Sequence, residues 1–322
     1  MPKIFTESEL KTHLRKNWAE RGHELADDQR MGVDVSDLVE HSTQRNAKLD
    51  TPYVGLWIAI LDEFISWEIS LLTVFYAERK DVTNLTNFDR SIAVLLMKII
   101  GDSTAIRHLI LLGFDVSART VLRSAAEYME LFVAMLCDPK LADEFKNTDT
   151  PEGAAKFWKT HIAYGGIRNR MQAAWQEFFS DEDDSGSAEW FATWGSNSNS
   201  ILSAMIHPSF AGGMFTAIPF KEKYDDEKWL GAWGDKSESS VATIGIYSSF
   251  MFPNLLLNHK FPFGKYDTHM EGKGIKYDET NTLHIHVSIG RDILASLILS
   301  LNKDTNVQYV FPDVDMSIWE VE

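Results

Sequence analysis

Residues 115–137 read DVSARTVLRSAAEYMELFVAMLC, and the periodicity of this stretch decides the fold. At about 100° per residue, with Arg119 set at 0°, Glu130 falls at about 20°, Arg123 at about 40°, Glu127 at about 80°, Thr120 at about 100° and Ser124 at about 140°. Val121, Leu122, Ala125, Met129, Phe132, Val133 and Leu136 gather between about 200° and 320°. A strand would alternate with period two. This stretch keeps one apolar face and one narrow charged stripe through a long helix, closed by Asp138-Pro139.

Outward from this helix, the chain reads as more of the same. Thr6-Glu7-Ser8-Glu9 has the capping-box pattern and opens a helix to about residue 20. Residues 22–50 are polar and mixed, with a short helix expected near 35–44. Thr51-Pro52 opens a long helix to about residue 79, apolar nearly all round and so expected at the centre of the fold. Thr86-Asn87 caps a helix that Gly101-Asp102 should end near residue 100, and Ser103 should start another that stops at Gly113. Asp115 is expected to cap the helix of the opening stretch. A short helix over 140–146 follows, then one that Pro151 opens and that runs to about 180 with a break at Gly165-Gly166.

Past the acidic loop DEDDSG at 181–186 the pattern weakens. Short helices are expected at 187–194 and 198–207. Residues 211–235 read as irregular, 239–259 as a helix bent at Pro253, 261–281 as loop and 283–302 as a helix, with 306–311 the best strand candidate. The expected fold class is mainly α, a multi-helix bundle with long central helices and a less regular C-terminal part. The expected division is an N-terminal helix and polar arm at 1–50, a helical core at 51–215, and a loop-rich segment with C-terminal helices at 216–322 that pack on the core, either as separate parts or as one domain overall.

Composition excludes several functions. The chain has 322 residues with a net charge of −16, and residues 181–322 hold 21 acids against 10 bases. Nucleic-acid binding draws on basic surface that releases counterions, so extended duplex nucleic acid is not an expected partner. The one cysteine, Cys137, rules out an intrachain disulfide and a cysteine-based zinc site, and fits a reducing, cytoplasmic setting. The first residues carry charge every few positions and do not read as a secretory signal. The longest apolar stretch, 53–76, is interrupted by Asp62, Glu63 and Glu68, so it reads as a buried helix of a water-soluble protein rather than a membrane span.

Three constellations could carry chemistry. On the central helix, Arg119 and Arg123 are placed to grip a phosphate or carboxylate, with Glu127 orienting them or acting as a base. The same stripe also reads as a solvated face of i,i+4 ion pairs. Ser203 and His207 lie four apart before Pro208, where His207 is either an acid/base that partners Glu127 or a helix-end histidine favoured by the dipole. His284-x-His286 would share a face on a strand, but on the helix expected from 283 onward the two rings diverge, and no metal site or cofactor is expected. Gly-rich phosphate loops, a His-Glu-x-x-His helix and a Gly-x-Ser-x-Gly elbow are absent from the sequence.

The run Ile106-Arg107-His108-Leu109, Gly113-Phe114-Asp115 and Ala118-Arg119-Thr120-Val121-Leu122-Arg123-Ser124-Ala125-Ala126-Glu127, followed by Leu202-Ser203 and His207-Pro208-Ser209, resembles a group of uncharacterised bacterial helical proteins. These carry an A-R-x-x-x-R-S-x-x-E helix and a later S-x-x-x-H segment. The resemblance covers roughly residues 85–215 and extends more distantly to HEPN-like helical bundles, found among toxins, antiviral nucleases and their binding relatives. It implies an RNase site or its descendant. The ribonuclease members use an Arg followed four to six residues later by His, and no arginine among 107, 119, 123, 168 and 170 has that spacing. Three readings follow: a ligand-binding protein of bacterial defence or toxin type, built on an Arg/Glu/His network; a phosphate-substrate enzyme, nuclease- or phosphohydrolase-like, that uses Arg119, Arg123, Glu127 and His207; and an interaction module, homodimeric or with a protein partner, whose surface is the aromatic stretch 190–233.

Overall fold

The computed structural model describes residues 6–22, 52–77, 85–163, 166–167, 169–170, 196–198, 200, 202–203, 243, 247–248, 250–251, 255 and 275–304. Among these, 84% are helical and none is in a strand. The chain divides into two units, Met1–Leu49 and Asp50–Glu322. The first contributes α1 (Glu7–Ala19). Its capping box is formed as expected: the Thr6 N–H donates to Glu9 Oε2 at 2.9 Å, and the Glu9 N–H donates to Thr6 Oγ1 at 3.3 Å.

The second unit holds α2 (Pro52–Ala77), α3 (Asn87–Leu111), α4 (Asp115–Cys137), α5 (Leu141–Phe145), α6 (Pro151–Phe157) and α7 (Thr282–Asp304). Helix α2 runs through the core as its all-round apolarity predicts. Leu61, Phe64, Trp67, Leu71, Val74 and Phe75 are all buried. It packs against α3 on one side and α7 on another, while α3 pairs closely with α4. The Trp67 indole N–H donates to the Val287 carbonyl at 2.9 Å, which ties α2 to α7 and satisfies the one polar atom of a large buried ring.

Three boundary expectations are corrected. Gly101-Asp102-Ser103 does not divide two helices, because α3 runs unbroken from Asn87 to Leu111. Gly101 is exposed with open space around it, so the glycine costs about 1 kcal/mol of helix propensity and nothing more. The two residues after it hold the helix: Asp102 accepts from Lys98 Nζ at 2.5 Å, and Ser103 Oγ donates to the Ile99 carbonyl at 2.7 Å.

The stop comes at Gly113, with φ 81°. The Gly113 N–H reaches Ile110 O at 2.9 Å and the Phe114 N–H reaches Leu109 O at 2.8 Å, the two bonds of a Schellman ending. That chain reversal lays α4 back along α3.

Second, Asp115 does not cap α4. Phe114 holds the cap position without a side-chain bond, and Asp115 is the first helical residue, buried beside the arginine one turn on. Third, the helix from Pro151 passes into a π-helical turn (Trp158–Ile162) and leaves helical geometry at Ala163, with helical positions again at Gly166, so the expected break is present but begins two residues before Gly165-Gly166. Gly166 then lies so close to the chain that a Cβ there would meet the His161 carbonyl oxygen at 2.7 Å, which only glycine avoids.

The expectations for 22–50 beyond Gly22, for 181–195, for 204–235, for Pro253 and for the strand at 306–311 fall outside the described residues.

Candidate functional site: the polar stripe of α4 and a buried acid facing it

The α4 stripe divides in two. Arg119 is 2% exposed and Glu130 9%. Arg119 Nε donates to Thr243 Oγ1 at 2.9 Å. Burial pulls the Arg119 pKa down, and the charge of Asp115 opposes that shift. Arg123 and Glu127, one turn apart, form an ion pair at 2.7 Å with side chains 23% and 24% exposed. Arg119 and Glu130 therefore lie in the interior, and the other two lie at its rim.

The next positions around the helix meet α3. Ser124 Oγ donates to Asp102 Oδ2 at 3.3 Å, Asp102 holds Lys98, and Lys98 Nζ sits 5.3 Å from the centre of the Tyr128 ring. Lys98, Asp102, Ser124 and Tyr128 thus form a polar seam beside the Arg123–Glu127 pair. On the far side of α3, Arg107 grips Asp62 of α2 with two nitrogens and is committed there.

Of the other expected residues, Ser203 occupies a helical position and is half-buried, while His207 lies outside the described residues. His284 and His286 stand on α7, as the helical reading requires, and engage different partners. The Asp278 N–H donates to His284 Nδ1 at 3.1 Å, and His286 Nδ1 shares a 2.8 Å hydrogen bond with Ser70 Oγ. Among the described residues, no three His, Cys, Asp or Glu side chains come together as a cation cage.

Two groups went unremarked as sites in the sequence. His161, on the π turn, is buried. Its Nδ1 accepts from Arg170 at 3.4 Å, so its Nε2–H donates to Glu144 Oε2 at 2.9 Å, and Arg170 in turn holds Asp138 at 2.8 Å. Nε2 ties the π turn to α5 through Glu144, and Nδ1 ties it to Arg170.

The other is Glu68 of α2, fully buried, with neither carboxylate oxygen hydrogen-bonded among the described residues. Burial pushes its pKa well above the carboxylate range. Tyr247, also buried, bonds Ser103 Oγ through its hydroxyl, and burial together with the charge of Glu68 pushes its own pKa up. The signal for Glu68 was present in the sequence as an acid in the middle of WIAILDEFISWEISLLTVFY. The signal for Tyr247 was not, because its partners lie 144 residues away.

These features define a mainly α, multi-helix protein in which no described helix is long and apolar enough to cross a membrane. No family model matches the chain, and neither does any curated protein or solved structure.

Proposed function

We propose that this is a ligand-binding helical-bundle protein of bacterial defence or toxin type, acting in the cytoplasm, whose Arg123–Glu127 pair receives an anionic group. The observation that carries this reading is the split of the stripe. Arg119 is sealed and bonded to Thr243, whereas Arg123 reaches the rim, paired with a carboxylate that a ligand phosphate or carboxylate can displace. Arg119, placed in the interior, keeps the bundle registered. Lys98 and Ser124, on the adjoining seam, are the next donors an anion would meet. The HEPN-like resemblance of roughly residues 85–215 supports setting the protein among the binding relatives of those bundles, since the Arg/His spacing of the ribonucleases is absent.

Calorimetric titration with inorganic phosphate tests this. Binding is expected in the unaltered protein, lost in Arg123→Ala and retained or tightened in Glu127→Gln, which removes the internal competitor. Equal binding by Arg123→Ala, or none by the unaltered protein, overturns the reading. The enzyme reading through Arg123, Glu127 and His207 predicts in addition turnover of a phosphoester, abolished by His207→Ala.

A further inference from the structure

A second polar locus lies apart from the rim of α4. Glu68 belongs to the face of α2 that also carries Phe64, one turn earlier. The Phe64 ring meets Tyr247 edge-on at 6.0 Å and stacks near Trp67 at 5.8 Å. The Trp67 N–H is committed to Val287, so that ring offers only its faces and edges. The Tyr247 hydroxyl and Ser103 Oγ bond each other, and Ser103 Oγ donates onward to Ile99 O, so the Tyr247 O–H donates to Ser103 Oγ and only the lone pairs of the two oxygens are left on that side.

Glu68, Ser103, Phe64 and Tyr247 are all essentially inaccessible to solvent. Leaving a polar group buried with no partner costs about 1–3 kcal/mol, and more if it is charged. A buried carboxylate one helical turn from the Phe64 ring, which itself meets Tyr247, has the chemistry that recognises an ammonium group: one charge to pair, ring faces for the cation, and hydroxyl oxygens to accept its N–H bonds.

We propose that Glu68, with Tyr247, Ser103 and the Phe64 ring, forms an interior site for a small protonated amine. Binding forms an ammonium–carboxylate pair. Where Glu68 begins as the neutral acid, its proton leaves to solvent as the ammonium arrives, so charge balances. Glu68 and Tyr247 are sealed in this structure, so entry requires the packing around them to open, and binding is slow compared with diffusion.

The test is a thermal-shift titration in mildly alkaline buffer with methylammonium chloride against equal sodium chloride. It uses the full chain, Glu68→Gln and Tyr247→Phe. Methylammonium is expected to raise the Tm of the unaltered protein in proportion to the logarithm of its concentration above the dissociation constant. Glu68→Gln keeps the shape but loses the charge, so its response to methylammonium should match its response to sodium. Tyr247→Phe should show a weakened response. The proposal is overturned if methylammonium acts no differently from sodium on the unaltered protein, or if Glu68→Gln responds as the unaltered protein does. Either result leaves the phosphate reading at Arg123 intact, since the two sites share no side chain.

Discussion

Arg119 and Glu68 are buried to the same depth in the same bundle, and they differ in their company. Arg119 has the Thr243 hydroxyl on its Nε and the Asp115 carboxylate one turn earlier to support its charge. Glu68 has no hydrogen-bond partner among the described residues, and burial sets its chemistry. A guanidinium cannot shed its proton in a protein, so a buried arginine must be partnered. A carboxylic acid can take a proton and enter the core neutral. The chain has thus solved the problem of interior charge in two ways within one unit, and the two solutions respond oppositely to mutation and to pH.

The largest expected effect tests the partnered charge. Arg119→Ala should destabilise the protein by about 3–5 kcal/mol, read from urea denaturation, because it leaves Thr243 and Asp115 buried without their cation. A loss no greater than that of a surface substitution would break the comparison.

Next is the unpartnered acid. The pKa of Glu68 in the folded chain lies above its ordinary value of 4.5. The folded state therefore holds the proton more tightly than the unfolded chain does. The stability linked to that proton is fully present below about 4.5 and is lost as pH rises through the raised value. Glu68→Gln has no such proton, so it should be more stable than the parent by about 1–3 kcal/mol at mildly alkaline pH, with the difference closing towards acid pH. A pH-independent difference would contradict the neutral-acid account.

The smallest effect lies at the rim. Arg123→Ala removes one i,i+4 ion pair and should cost only about 0.3–0.5 kcal/mol, falling further in high salt. A loss on the scale of Arg119→Ala would show that the stripe is not divided as described.

The long helices were legible because their periodicity is local. The stop of α4 before Asp138-Pro139, the capping box of α1 and the proline start of α2 all follow from residues within one turn of each other. The false division at Gly101 came from the same local grammar. Gly-Asp-Ser reads as a stop followed by a cap, but the Lys98–Asp102 and Ser103–Ile99 bonds and the packing of α3 against α4 carry the helix through. Of the candidate site, the order of charges along α4 was readable, but which of them would be sealed was not. That depends on Thr243, 124 residues away in sequence. Glu68 was visible as a polar interruption of an apolar helix, and only the fold shows that, among the described residues, nothing hydrogen-bonds its carboxylate.

The contrast between the two buried charges rests most directly on the protonation state of one side chain. An infrared difference spectrum at neutral pH between the unaltered protein and Glu68→Gln reads that state. The account predicts the carbonyl stretch of a protonated carboxylic acid in the unaltered protein, absent from the variant and persisting at pH values where exposed glutamates are ionised. A difference spectrum that contains only the bands of an ionised carboxylate would contradict it.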